Sequence, residues 1–558
     1  MKVLQPADYF VFLFYFVIVS GYGFWVYRKK RQTTASASHD YFLAEGSLTW
    51  WAIGASLIAS NISAEQMIGM SGNGFTMGLA ISTYEWMAAA SLMIVAIFFI
   101  PVYLKNKIYT MPQFLHDRYN DSVAMIMAVF WLLLYVIVNL TSILYLGALA
   151  INSISGIPLN TCMYLLGLFA VIITLGGMKV IGYTDVIQVF FLILGGLVTT
   201  YLALGLVSKM NGESGTMAGL KVLYTEANDH FHMILKKDNP SYLDLPGLSV
   251  LIGGMWIVNL NYWGCNQYIT QRALGAKLST ARNGILFASF LKLLMPVIVV
   301  LPGIAAYVLN QKGYFTQGEL LGENSKLMAD KAYPSLLNLL PTGLKGLSFA
   351  ALTAAIVASL AGKANSISTI FTLDIYHKKI NPAANQQQLV SIGKWVIILA
   401  MVIAIVIAPY LGIEKGGFKY IQEYTGFVSP GIFAMFILGF FWKKATSNAA
   451  LFATIGGFIF SVIFKFLPRM VDLSCLQSSG FASANADGIF EIPFIDRMGF
   501  VFLISVIGMI VISNYENRKG KIPKGLQIER SMFTMSPSFQ VGTLLVAGIL
   551  TALYTLFW

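Results

Sequence analysis

Charge is what this sequence has least of. Only 11% of its 558 residues are Asp, Glu, Lys or Arg, against about 25% in soluble domains. Hydrophobic residues make up 57%, and the mean hydropathy is +0.70. That balance excludes a soluble enzyme with a large core and indicates a polytopic membrane protein. Cysteine is nearly absent: Cys162, Cys265 and Cys475 give no disulfide framework, and the first two read as small packing residues in apolar spans. The five histidines (His39, His116, His230, His232, His377) fall in loops or at span ends without metal-ligand spacing. This argues against a membrane metalloenzyme. His230-Phe231-His232 could reach a metal, but in an external loop it reads as solvated surface. No cleavable signal pattern precedes the first apolar run, which is expected to act as its own insertion signal. The net charge of +12 does not indicate nucleic acid, because Lys and Arg fall in short loops between apolar runs, where they report topology.

Long apolar runs are what the sequence does have. A span needs about 20 apolar residues, and fourteen are expected, at about 8–27, 48–73, 78–104, 122–151, 159–176, 183–207, 247–267, 282–310, 342–372, 389–411, 417–441, 447–467, 496–515 and 538–557. Basic clusters at Arg28–Arg31, Lys105/Lys107, Arg272–Arg282, His377–Lys379, Lys443/Lys444 and Arg518–Arg530 all fall on one side if the N-terminus starts outside. Both termini are then expected outside an inner membrane. Between spans, 208–246 reads as a polar external loop of mixed charge and 311–341 as an external segment with a short surface helix.

Two spans are interrupted by polar residues. The second holds Asn61, Ser63, Glu65 and Gln66 among glycines and small residues. An acid near a bilayer centre costs about 2.5–3.5 kcal/mol on insertion scales, so it should face a cavity or a partner. Unwound backbone at that depth is tolerated only where it lines a cavity. The seventh span carries Asn259-Leu260-Asn261-Tyr262-Trp263-Gly264-Cys265-Asn266-Gln267. Broken helices five spans apart point to two inverted halves with a binding site between them. The expected organisation is a peripheral first helix and linker (1–47), a first half (48–207), the external loop (208–246), a second half (247–441) and three peripheral helices (442–558). Taken singly, the polar residues also suit helix–helix hydrogen bonds.

Asn61-Ile62-Ser63-Ala64-Glu65-Gln66, Tyr84-Glu85-Trp86-Met87, Gly176-Gly177, Thr184-Asp185-Val186-Ile187-Gln188 and Tyr420-Ile421-Gln422-Glu423-Tyr424-Thr425-Gly426 resemble the sodium:solute symporter family, in its sodium–glucose cotransporter branch. The likeness runs through almost the whole chain. It implies an all-α, LeuT-type five-plus-five inverted repeat working by alternating access, with Na⁺ as a coupling ion and no other cofactor. It also implies that Gln66, Glu85, Asn259, Lys292 and Gln422 hydrogen-bond a hexose. The chemistry agrees: amides both donate and accept, a carboxylate accepts and an ammonium donates. The same resemblance makes Tyr262 an inner aromatic gate stacked on the sugar and Met70, Tyr84, Tyr135, Trp263 and Phe418 apolar walls. For Met70 and Phe418, plain core packing is an equal reading. Ala88 stands where the family's galactose-transporting members carry a serine.

By resemblance, Na⁺ is held by carbonyls matching Ala59, Ile62 and Ala355 and by two adjacent hydroxyls. Those positions here read Ala358-Ser359, so one hydroxyl is missing, and fewer oxygens bind a hard cation more weakly. Lys363 lies four residues beyond Ser359, on the same helix face, where the sugar-transporting relatives carry an apolar residue. Its ammonium suits the cation position or a pairing with Asp185, and suits equally a watery inner vestibule. Asp185 also fits a structural role at a helix start. Three functions are left: a secondary transporter of a hexose-like sugar or polyol, with Na⁺ coupling weakened or replaced by Lys363; a strictly Na⁺-coupled symporter of another polar solute; and a sugar-gated sensor. A sugar and membrane lipid are the expected partners. The sequence does not specify an oligomeric state.

Overall fold

The computed structural model describes residues 4–30, 49–108, 111–176, 178–274, 276–315, 318–322, 326–410 and 417–558. They are almost entirely helical, with one two-stranded ribbon pairing Ser483–Ala484 and Phe490–Glu491. Among the described residues nine helices are long and apolar enough to cross a membrane, or ten if Gly417–Thr425 and Ser429–Phe441, bent by 49°, form one span. Fourteen spans were expected. The difference lies mainly where the chain is interrupted, because a broken span offers no single long apolar helix. The helical run Glu65–Lys105 shows the converse. Its 41 residues would extend about 60 Å as one rod, twice the hydrocarbon thickness. Gly78 divides it, in a left-handed conformation with φ +68°, and any side chain there would collide with His230.

Both sequence interruptions are real breaks in the helix. Trp50–Asn61 ends at Ile62, which is extended (φ −71°, ψ 113°). Gly254–Cys265 ends at Asn266, extended in nearly the same way (φ −102°, ψ 120°), before Gln267–Leu274 resumes. After the first break the chain re-enters as a wide π turn, Glu65–Met70, and continues as Ser71–Met77.

The helix Leu278–Gln311 is central. It packs on Trp50–Asn61, Ser71–Met77, Thr83–Ile94 and Met178–Met210. Leu344–Thr369 packs on Pro6–Lys30, Met178–Met210, Leu159–Gly176 and Thr141–Ser155. Glycine allows the closest approaches: at Gly303 the neighbouring backbone of Ser71 fills the space a Cβ would need. Two expectations about the connections are corrected. The short helix Ala332–Leu337 is not on the surface but wholly buried, wedged against Leu278–Gln311 and Thr141–Ser155. His230 is not solvated: its Nε2 lies 3.2 Å from the Phe75 carbonyl and its ring stacks on Tyr307 at 4.0 Å. The side-chain-free Gly78 makes room for it. His232, by contrast, is exposed, with Nδ1 3.0 Å from the Trp558 carbonyl.

Candidate functional site

The first break sets up the site. The last N–H to bond back into the preceding helix is that of Ile62, to the Ile58 carbonyl at 2.8 Å, and the next helical bond runs from Met67 N–H to the Ser63 carbonyl at 3.2 Å. The carbonyls of Ala59, Ser60, Asn61 and Ile62 stand in the gap, without the i+4 donors of a continuous helix. Ser63 bridges it: its Oγ accepts from Glu65 N–H at 3.2 Å and donates to Gln66 Oε1 at 3.3 Å.

A cavity opens beside this break, with about 100 Å³ open to the centres of water molecules, room for several waters. Gln66, Glu85, Asn259, Lys292 and Gln422 all line it, as do Tyr84, Tyr135, Tyr262, Trp263 and Phe418. Each of the five polar groups comes from a different helical element. Lys292 and Glu85 are almost fully buried and form an ion pair at 2.5 Å. The same ammonium donates to Asn61 Oδ1 and lies 5.3 Å from the Trp263 ring. Asn61 Nδ2 in turn donates to the Tyr262 hydroxyl at 3.2 Å. A charged pair, an amide and a phenol are thus joined in one chain. Asn259 donates to the Met255 carbonyl of its own helix at 3.1 Å. Tyr84 and Phe418 meet edge to face at 5.0 Å. Gly69 lets the Phe418 backbone close on the π turn, where a Cβ would come within 2.9 Å of it. Ala88 also lines the cavity.

Met70 is the one proposed wall residue absent from the lining. It is fully buried, at the end of the π turn Glu65–Met70.

Ser359 and Lys363 line the same cavity. Lys363 Nζ donates to Asn139 Oδ1 at 3.3 Å and lies 4.9 Å from the Tyr135 ring centre. It is within electrostatic reach of Glu65, whose Oε1 is buried and has no hydrogen-bond partner among the described residues. Tyr135 donates to Asn266 Oδ1 at 2.8 Å. Ala355 and Ser359 are buried on Leu344–Thr369, and Ala59 and Ile62 lie at the break of the helix packed against it. Ala358 is half-buried and does not line the cavity. The Asp185 side chain lies outside the described residues. The cavity is also lined by Asn61, Glu65, Asn261 and Asn266, polar residues of the two interrupted spans, and by Asn139, which had not been singled out. Asn139 too is a polar residue inside an apolar run, which was the available signal.

A profile of the sodium:solute symporter family matches residues 41–457. The chain is 47% identical over 561 aligned residues to the sodium/glucose cotransporter of Vibrio parahaemolyticus, covering 100% of this chain and 99% of that protein. It is 33% identical to the human sodium/myo-inositol cotransporter 2, over 83% of this chain and 70% of that one. Among solved structures, a Na⁺-coupled sialic acid symporter in a substrate-bound, outward-open state superimposes with a TM-score of 0.73 at 21% identity, over 94% of this chain and 100% of that one. At that identity the likeness shows the fold, which is of the LeuT type. With a family profile over most of its length and a near-full-length relative at 47% identity, the chain belongs to the sodium:solute symporter family, whose members are membrane transporters and not enzymes.

Proposed function

We propose that the protein carries a hexose-like sugar across the inner membrane by alternating access between the halves 48–207 and 247–441, with both termini outside. The observation behind this is the convergence of Gln66, Glu85, Asn259, Lys292 and Gln422 from five elements on one cavity. Their mixture of donors and acceptors suits a ring of hydroxyls, each of which needs both. Desolvated groups of this kind reject analogues that lack the matching hydroxyl. In this reading Tyr262, bonded to Asn61, acts as the inner gate.

Coupling to Na⁺ is weakened in this reading. Ala59, Ile62, Ala355 and Ser359 supply four oxygens, Ala358 supplies none, and Lys363 stands in for the ion with a tethered ammonium. Asp185 is the nearby acid. A second reading draws on the Lys363 contacts to Asn139 and Tyr135: the lysine lies on the exit path of a strictly Na⁺-coupled transporter.

Uptake of D-glucose and D-galactose into proteoliposomes, with and without Na⁺, separates the two. Na⁺-independent uptake is expected, with a Na⁺ response gained on combining Lys363→Ala with Ala358→Ser. Strict Na⁺ dependence of the natural protein refutes the stand-in and leaves the exit-path reading.

A further inference from the structure

The helix Gly417–Thr425 brings Phe418 and Gln422 to the cavity, and what holds its first residue is a side chain outside the site. Asp330 sits in the connection between Leu278–Gln311 and Leu344–Thr369, on a short turn, Ala329–Lys331. It is 3% exposed. Its Oδ2 accepts the Gly417 N–H at 2.9 Å. Its Oδ1 lies where a Cβ on Gly72 would be, so only glycine at that position admits the carboxyl. One turn earlier in the same broken span, Gly69 receives the Phe418 backbone. A single carboxyl therefore touches the segment that follows Gln66 and the helix that carries Gln422.

We infer that Asp330 is a positioning residue for the substrate cavity: its ionised carboxylate ties the first residue of Gly417–Thr425 to the broken span, and proton uptake loosens the tie. The inference rests on the reading of the cavity as the substrate site. A carboxylate accepting a backbone N–H at a helix start gains both a charge-assisted hydrogen bond and the favourable end of the helix dipole. Protonation removes the charge from both.

Among the described residues no ion pair couples another charge to this group. On the elements packed against it, Lys331 donates to the Leu321 carbonyl and the Tyr333 hydroxyl is engaged with Thr199. Glu65 faces the cavity, and Tyr145 has interactions of its own. On Gly417–Thr425 itself, Lys419 pairs with Asp244 at 2.5 Å, Glu423 with Lys465 and Arg497, and Tyr420 packs on Tyr424. Burial pushes the Asp330 carboxyl up to about 7, with the Gly417 N–H pulling the other way. The sign for folding follows. A carboxyl raised above its unfolded value stabilises the fold below that unfolded value, and the contribution is lost as pH rises through about 7. The tie to Gly417 has the opposite preference, being strongest in the ionised form.

The test is hydrogen–deuterium exchange of the full-length protein in nanodiscs at pH 8.0 and 6.0, corrected for intrinsic exchange, beside sugar uptake at the same pH values. Protection of 417–425 should fall about 5-fold from the higher to the lower pH, the ratio expected when an ionic hydrogen bond becomes neutral. Asp330→Asn should show low protection at both. For D-galactose and D-glucose uptake, KM should rise by a similar factor as pH falls while the maximal rate changes little, and Asp330→Asn should be flat. Protection of the natural protein that does not change with pH overturns the inference, as does an Asn variant that reproduces the step. Full sugar binding by Gln422→Ala would instead refute the substrate reading of the cavity, and the exchange step would still decide the tie.

Discussion

Replacing Lys292 by methionine is the sharpest perturbation of the cavity. Lys292 and Glu85 are 1% and 2% exposed, with their charged atoms 2.5 Å apart. At an effective dielectric constant of 20, the Coulomb attraction at that separation is about 7 kcal/mol, most of it offset by several kcal/mol of desolvation for each ion. The intact pair is therefore nearly neutral for stability, yet removing one member leaves the other buried and uncompensated. Lys292→Met should destabilise by about 3–5 kcal/mol. Asn61 also loses the donor to its Oδ1, so the Asn61–Tyr262 bond loosens with it. Glu85→Gln should cost less, because a neutral amide still accepts from the ammonium. The double variant Lys292→Met/Glu85→Gln removes both charges and should recover at least 2 kcal/mol relative to Lys292→Met, on the order of a coupled pair. Reversible unfolding in graded dodecyl sulfate mixtures, completed as a double-mutant cycle, measures this, with sugar uptake expected to be lost in all three. A coupling below about 0.5 kcal/mol, within the range of independent sites, would sink the argument.

Two further outcomes follow from backbone contacts. Gly431 lies directly against the Ala453 carbonyl, the close helix crossing that small residues permit in membranes. Gly431→Ala should push Ser429–Phe441 away from its neighbour at a cost of about 1–3 kcal/mol, read in the same unfolding assay, with Gly205→Ala, where an added Cβ would meet nothing beyond its own helix within 4 Å, as the neutral control. Arg118, 1% exposed, donates Nε to the Gly439 carbonyl at 2.8 Å, Nη2 to Trp442 at 2.9 Å and Nη1 to Ala445 at 3.0 Å, gathering carbonyls at and just past the end of Ser429–Phe441. Lysine lacks that planar fork. Arg118→Lys should therefore destabilise by about 2–4 kcal/mol through carbonyls left unpaired, and near-natural stability would show that water replaces the guanidinium.

The two helix breaks were legible because their cause is local: amides, hydroxyls and an acid inside an apolar run have few places to go. The convergence of Gln66, Glu85, Asn259, Lys292 and Gln422 was legible only through resemblance, since nothing in periodicity says that residue 292 meets residue 85. The π turn Glu65–Met70 was not legible at all, and Met70 at its end is buried off the lining. His230 and the helix Ala332–Leu337 were misplaced because polar or loop-like composition was taken for exposure, while the glycine at position 78 and the packing of Leu278–Gln311 decide otherwise. Lys363 is the remaining case, and it turns on partners. The cavity contains two ammonium groups in different settings. Lys292 is matched by a carboxylate at 2.5 Å, so it presents donors and acceptors with little net charge, which suits a neutral sugar. The contacts of Lys363 include an amide oxygen and an aromatic ring, with Glu65 within electrostatic reach. On the proposed reading its ammonium takes the place of a cation, so the two lysines differ in kind: the first helps select the solute, and the second decides whether Na⁺ is admitted with it.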